Sequence, residues 1–312
     1  MSTKEAPSEK SPGRPGRLDL GFLLLATPIL WGATFPAAKR GLETLPLLPF
    51  TAWTRLLGFL SIMIAMPIIG RRELTRDSIR RVVGPGTLLG GLIFVAYVLQ
   101  TAGLERTTAT NAGFITGLYV VFTPVLALAI FRQRAGRSAW TAVAISIIGL
   151  ALLSTTTGAF HPRAGDLLVL ASAVAWAGHL IGVGYFAARH PTRLLSLAQM
   201  AATASFHLVA TAGEGMHPAD ALGVWHVLVV TGILGSGVAY TLQVMAQREI
   251  TATRAALILA GESVASAAFS ALWLGERLTA TQWMGASLIV GAIVISELGA
   301  RRRPELRMES GT

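Results

Sequence analysis

Long apolar runs separated by short polar connections organise this sequence. An α-helix crosses a bilayer with about 20 largely apolar residues, and the chain offers ten runs near that length. They are Leu20–Ala38, Leu48–Ile69, Val82–Gly103, Ala109–Phe131, Ser138–Ser154, Asp166–Ala187, Leu194–Ala212, Val224–Gln247, Ala252–Leu274 and Thr281–Leu298. The expected fold is an all-α membrane protein of ten transmembrane helices, with too little left between them for a soluble domain. Residues 1–18 are rich in Pro, Ser, Gly and charge and read as a disordered tail. The first apolar run is as long as a full span, which argues against a cleaved signal peptide.

Composition agrees with the pattern. Hydrophobic residues make up 53% of the chain and charged residues 13%, about half the roughly 25% of soluble domains. Mean hydropathy is +0.59. The 33 glycines and 14 prolines do not oppose this, since membrane helices tolerate both. Cysteine is absent, which excludes disulfides, thiol catalysis and Cys-based metal sites.

The net charge of +10 would raise nucleic acid as a partner for a soluble protein. Its placement says otherwise. Of the 26 Lys and Arg residues, 20 fall in the tails and one set of alternate connections. Five fall in the other set, and Arg55 lies inside the second run. Cytoplasmic loops concentrate Lys and Arg, so both termini, including the basic tail 300–312, are expected in the cytoplasm. The location expected is the cell (inner) membrane, multi-pass. No long basic stripe exists for nucleic acid.

Sliding the sequence by 143 residues places Tyr97-Val-Leu-Gln100 on Tyr240-Thr-Leu-Gln243 and Thr108-Ala-Thr110 on Thr251-Ala-Thr253. Ala112, Ile115, Arg134 and Trp140 fall on Ala255, Ile258, Arg277 and Trp283. Trp31 and Trp176 correspond at a slightly different offset. The chain therefore divides into two copies, 19–155 and 164–299, of five spans each. An odd span number forces the second copy to enter the membrane upside down. Secondary transporters use this inverted-repeat architecture, with the solute site near the midplane between the copies.

These residues also carry a family resemblance. The stretch Gln100-Thr-Ala-Gly-Leu-Glu-Arg-Thr-Thr-Ala-Thr-Asn-Ala-Gly-Phe-Ile-Thr-Gly-Leu-Tyr-Val-Val-Phe-Thr-Pro124 resembles EamA-type members of the drug/metabolite transporter superfamily. So do Trp31-Gly-Ala-Thr-Phe35, Thr251-Ala-Thr-Arg-Ala-Ala256, Glu262 and Leu274-Gly-Glu-Arg-Leu-Thr279. The resemblance covers residues 18–299. It implies ten helices, two EamA repeats, and export or exchange of small metabolites or drugs. Two departures stand out. The family often has Glu-Pro where this chain has Glu262-Ser263, and the first copy has Arg132-Gln-Arg134 where the second has Gly275-Glu-Arg277.

Polar and aromatic residues within the spans are the candidate site. A charge at a helix centre costs about 2.5–3.5 kcal/mol on insertion scales, so Arg55 and Glu262 must be paired, protonated or facing a cavity. By helical rise they differ in depth by only about 5 Å, close enough for an ion pair if their helices are neighbours. The functional alternative has Glu262 taking a proton or a cationic solute group, with Arg55 modulating it. His179 shares a face with Trp176, where both can touch solute or the histidine can simply bond a neighbouring helix. His207 reads as structural. Trp31 and Phe35 share a face of the first span, and Trp31 and Trp176 lie nearer the midplane than an interfacial belt requires. Tyr97 and Gln100 lie near one end of span 3 and their mates Tyr240 and Gln243 near the opposite end of span 8. They are placed at opposite mouths of one pathway, as gates or as interhelical hydrogen bonds. Tyr119 is the repeat mate of Glu262, and Asn111 reads as a cap or packing residue. Gly113-xxx-Gly117 and Gly178-xxx-Gly182 fit close helix approach, and Glu276 belongs to an outer loop.

The function these features predict is a secondary transporter of a small organic metabolite or drug, an exporter or exchanger, proton-coupled through Glu262. A passive facilitator of the same fold stays open, and an integral-membrane enzyme is less favoured. Lysine occurs only at positions 4, 10 and 39, and the chain has no Gly-x-Ser-x-Gly elbow and no P-loop. No cofactor and no metal are expected. The partners are a small-molecule solute, the bilayer and protons; a homodimer is neither required nor excluded.

Overall fold

A computed structural model describes residues 24–69, 75–154, 164–275 and 277–302. The tail 1–18, Arg71, Arg72, Glu276 and most of the tail 300–312 lie outside the described residues. Within those residues all regular structure is helical. The first half contains α1 (Ala26–Gly41), α2 (Leu47–Ile69), α3 (Arg76–Leu104), α4 (Ala109–Gly117), α5 (Tyr119–Phe131) and α6 (Arg137–Ser154). The second contains α7 (Ala164–Ala187), α8 (Thr192–Ala210), the short α9 (Pro218–Gly223) and α10 (Trp225–Leu228), the π-helical α11 (Val229–Ala239), α12 (Tyr240–Gln247), α13 (Ala252–Leu259), α14 (Gly261–Leu274) and α15 (Ala280–Arg302).

Among the described residues seven helical stretches are long and apolar enough to cross a membrane, and Arg137–Leu153 is a shorter apolar one. Ten runs were expected. The first of the other two, α1, has 16 described residues, because the start of its apolar run precedes the described segment. The other, α8, carries Ser196, Gln199, Thr203 and His207, all fully buried against neighbouring helices. Its polarity is an interior feature.

The two halves repeat local structure as well as sequence. Thr108 caps α4 by accepting from Asn111 N, and Thr251, 143 residues on, caps α13 by accepting from Arg254 N. Such a side chain satisfies an orphan N–H of the first turn. The helical stretch Asn111–Phe131 then breaks at Leu118, just before Tyr119, and Ala252–Leu274 breaks at Ala260, just before Gly261-Glu262. These are two candidate membrane spans. Both spans end in a left-handed cap. Arg132 has φ 54° and its mate Gly275 φ 71°; glycine suits this conformation, and arginine adopts it at a cost.

The most extensive packing runs between the halves. Helix α1 packs on α14 and α11, and its counterpart α7 packs on α4, α5 and α3. Helix α2 lies on α11, and its counterpart α8 on α3; α2 and α8 also meet each other. Helices α6 and α15 pair at one side. The Gly113-xxx-Gly117 motif forms part of an intrachain crossing of α4 with α14. Ser263 Oγ donates to Gly113 O at 2.7 Å, and a Cβ at Gly117 would lie 2.6 Å from Ser263 Oγ. Small residues thus let the two backbones approach. At the helix ends, Lys39 Nζ donates to Leu104 O (2.6 Å) and Thr107 O (2.9 Å), satisfying carbonyls at the end of α3. Arg254 bonds Glu297 through Nε at 2.7 Å, tying α13 to α15.

Candidate solute cavity

Between the halves lies a cavity of about 40 Å3, room for about three waters by that measure. Its walls include all eleven residues singled out from the sequence. Helix α1 presents Trp31 and Phe35. The Trp31 indole is fixed from across the cavity, where Nε1 donates to Gly235 O at 2.9 Å, and its ring meets Tyr240 edge-on at 5.0 Å. The acceptor belongs to the π-helical segment, whose widened turn is seen again in Ser236 Oγ donating to Thr231 O five residues back, at 2.7 Å.

Arg55 on α2 is 2% exposed. Its Cζ sits 3.8 Å from the centre of the Tyr97 ring and 5.9 Å from that of Tyr240. Nε reaches Thr54 Oγ1 at 3.4 Å, while Nη1 has no hydrogen-bond partner. Glu262, at the start of α14, is 3% exposed, and its Oε1 also lacks a partner. The anticipated Arg55–Glu262 ion pair does not form: the two charges line one cavity without meeting. Equal depth did not place them side by side, because α2 and α14 hold them on different walls. Tyr119, at the start of α5, lines the same cavity beside Glu262, and its hydroxyl likewise lacks a well-formed hydrogen bond.

Tyr97 and Tyr240 converge on one guanidinium, so they do not occupy the opposite mouths that their sequence depths implied. Their glutamine partners are each engaged. Gln100 Nε2 donates to Thr116 Oγ1 at 2.9 Å. Gln243 Nε2 donates to Gln247 Oε1 at 2.8 Å, and Gln247 Nε2 donates on to Leu180 O at 2.8 Å. Gln243 Oε1 stays unpartnered. On α7, His179 Nε2 lies 3.1 Å from Gln199 Oε1, and its ring meets those of Trp176 and Tyr240 at 6.0 and 5.8 Å. Trp176 Nε1 has no partner. His207 sits behind the cavity wall, with Nδ1 2.8 Å from Thr203 O and its ring against Phe94 and Tyr97. Asn111 is buried with Oδ1 unpartnered, and Thr108 is the cap there.

Sequence reasoning missed Thr34, Thr116, Leu180, Thr231, Gly235 and Leu259, which also line the cavity. Two had a usable signal. Thr34 falls on His179 at the 145-residue offset that superimposes Trp31 and Trp176, and Thr116 lies three residues, one helical turn, before Tyr119. Among the described residues no cluster of three or more His, Asp or Glu could hold a metal.

A bundle of apolar helices enclosing a polar, aromatic-walled cavity at the junction of two repeats defines a polytopic membrane protein with an interior cavity. Comparison with known proteins carries this further. The chain matches the EamA-like transporter family twice, over residues 20–155 and 163–298, and it belongs to that family of membrane transporters. It is 30% identical over 284 residues to an uncharacterized transporter of Archaeoglobus fulgidus, covering 90% of this chain and 85% of that one. It is 26% identical to a probable amino-acid metabolite efflux pump of Salmonella typhimurium, covering 92% of this chain and 98% of the relative. The threonine/homoserine exporter RhtA of Salmonella typhimurium is 25% identical over 71% of this chain and 72% of its own length. A solved crystal structure shares the fold with a TM-score of 0.74 at 20% identity, covering 90% of this chain and 98% of that one.

Proposed function

We propose that the protein is a secondary transporter that exports a small organic metabolite by alternating access, with Glu262 exchanging a proton for solute. In this reading ten spans form two inverted halves, both termini face the cytoplasm, and the cavity opens to one side at a time. The observation that carries it is the cavity itself: two buried side chains of opposite charge, Arg55 and Glu262, face one space built jointly by both halves without pairing with each other, and each keeps one polar atom unpartnered. A charge left unpaired in hydrocarbon is costly. Solute, proton and water are the partners such groups accept in turn. The aromatic walls of Trp31, Phe35, Trp176 and Tyr240 suit the apolar part of an organic solute. Relatives named as amino-acid metabolite and threonine/homoserine exporters support a solute of that size. The asymmetry of basic residues supports the orientation.

Proteoliposomes containing the purified protein test this. They are offered a pooled panel of amino acids, nucleosides, polyamines and cationic drugs under pH gradients of either sign, with mass spectrometry reporting what enters. Accumulation of one class into an acidic lumen is the expected result, because each solute entering releases a proton. Equilibration without accumulation under both gradients makes the protein a passive facilitator instead.

A further inference from the structure

The cavity walls are symmetric in shape and asymmetric in charge. At the 143-residue offset Tyr97 matches Tyr240 and Gln100 matches Gln243; at 145 Trp31 matches Trp176. These pairs give both halves the same aromatic and amide surface. The charges break the match. Glu262 in the second half falls on Tyr119 in the first. Arg55 in the first half falls on Met200, beside Gln199, in the second. Each half therefore adds one charge that the other lacks, and the two have opposite sign. Both side chains are at least nine-tenths buried, neither meets the other, and each leaves a polar atom without a partner.

We propose that this asymmetry makes the cavity a dipolar receptor for a zwitterion, with Arg55 receiving a carboxylate and Glu262 receiving an ammonium group. The proposal rests on the reading of the cavity as the solute site and narrows it to one chemical class. A planar guanidinium recognises a carboxylate through paired N–H donors, and Arg55 has one terminal nitrogen unengaged while Tyr97 fixes its plane. A carboxylate beside an apolar wall selects a compact cation that can donate to it. A solute lacking either pole would leave one buried charge unsatisfied, which is how a polar site rejects close analogues. The pairing also fixes orientation. Arg55 and Glu262 move with different helices, so the solute dipole points from the first half to the second throughout the cycle.

The test uses the full chain in proteoliposomes and three probe sets: a mixture of free amino acids, the same mixture as methyl esters, and the same mixture N-acetylated. Esters lose the carboxylate and N-acetyl forms lose the ammonium. Protein-dependent flux of the free acids should exceed that of each derivative by about tenfold or more, the scale of one charged hydrogen bond. Arg55→Gln should abolish the preference over esters while keeping that over N-acetyl forms, and Glu262→Gln should do the reverse. Arg55→Lys and Glu262→Asp keep the charges and should keep the preferences, which separates recognition from misfolding. Equal flux of all three sets through the unaltered protein overturns the proposal and leaves transport standing. Variants that slow all three sets in proportion also overturn it. Flux of none of the sets, with another class entering from the wider panel, removes the zwitterion and keeps the transporter.

Discussion

The Arg55 guanidinium lies against the face of Tyr97, 3.8 Å from the ring centre, with Tyr240 5.9 Å away on another wall. One tyrosine comes from each half, at matching positions of the repeat. A desolvated cation–π contact is worth about 2 kcal/mol, so it offsets much of the cost of holding an arginine here. Tyr97→Phe preserves the ring and should leave solute affinity within about twofold. Tyr97→Leu removes the ring and should weaken it about tenfold or more, since each 1.4 kcal/mol is a factor of ten. Concentration dependence of flux in proteoliposomes measures both.

The proton role proposed for Glu262 has its own signature. Glu262→Gln keeps the shape and removes the exchangeable charge. Transport by this variant should lose both its pH dependence and its ability to accumulate solute, while downhill exchange persists. Accumulation driven by a pH gradient in the variant would assign the proton site elsewhere.

Span ends offer a test of the repeat. Arg132 adopts a left-handed conformation that its mate Gly275 adopts freely. Arg132→Gly should raise stability by about 1 kcal/mol, and Gly275→Ala should lower it by a similar amount. Thermal unfolding of the detergent-solubilised protein, read by tryptophan fluorescence, compares the two.

The α4–α14 crossing depends on its glycines. Gly117→Val places atoms where Ser263 Oγ now lies and should cost about 1–3 kcal/mol. Gly291→Ala in α15 meets no atom within 4 Å and serves as a control that should hold or slightly raise stability. The same melting assay reads both.

His190, in the turn between α7 and α8, is held below the ordinary histidine range by partial burial and by the charges of Arg81 and Arg189. Its neutral form is thus the one the fold favours. That contribution is present above the unfolded value of about 6.5 and declines as pH falls below it. His190→Gln should slightly flatten the acid-side loss of thermal stability, by a small amount because the ring is only partly buried.

How much of this was legible in the sequence depended on which residues the repeat marked. Tyr97 with Tyr240, Gln100 with Gln243 and Tyr119 with Glu262 superimpose at one offset, and polar atoms deep in apolar runs call for partners. Thr231 and Gly235 bore no such mark. They belong to a glycine-rich run whose π-helical winding is shaped by packing on α1 and α2, a tertiary effect that periodicity does not encode. The breaks at Leu118 and Ala260 adjoin Gly117 and Gly261, but glycines are so frequent in this chain that neither marks a break by itself. Helical rise placed Arg55 and Glu262 at similar depth. Depth is one coordinate of two, and the helix azimuths that separate them follow from packing. The span count is less direct for the same reason, since α8 is polar on faces that its neighbours cover.

Because α2 packs on α8 and α11, both made after it, the order of synthesis matters. Until residues 192–247 have been inserted, the nascent first half carries Arg55 into the bilayer with Tyr97 to cover one face but without the second-half walls that complete its enclosure. Translocon scales put such an arginine at about 2.5–3.5 kcal/mol. The contacts that hold the second helix on that side are thus supplied only by the later-made half.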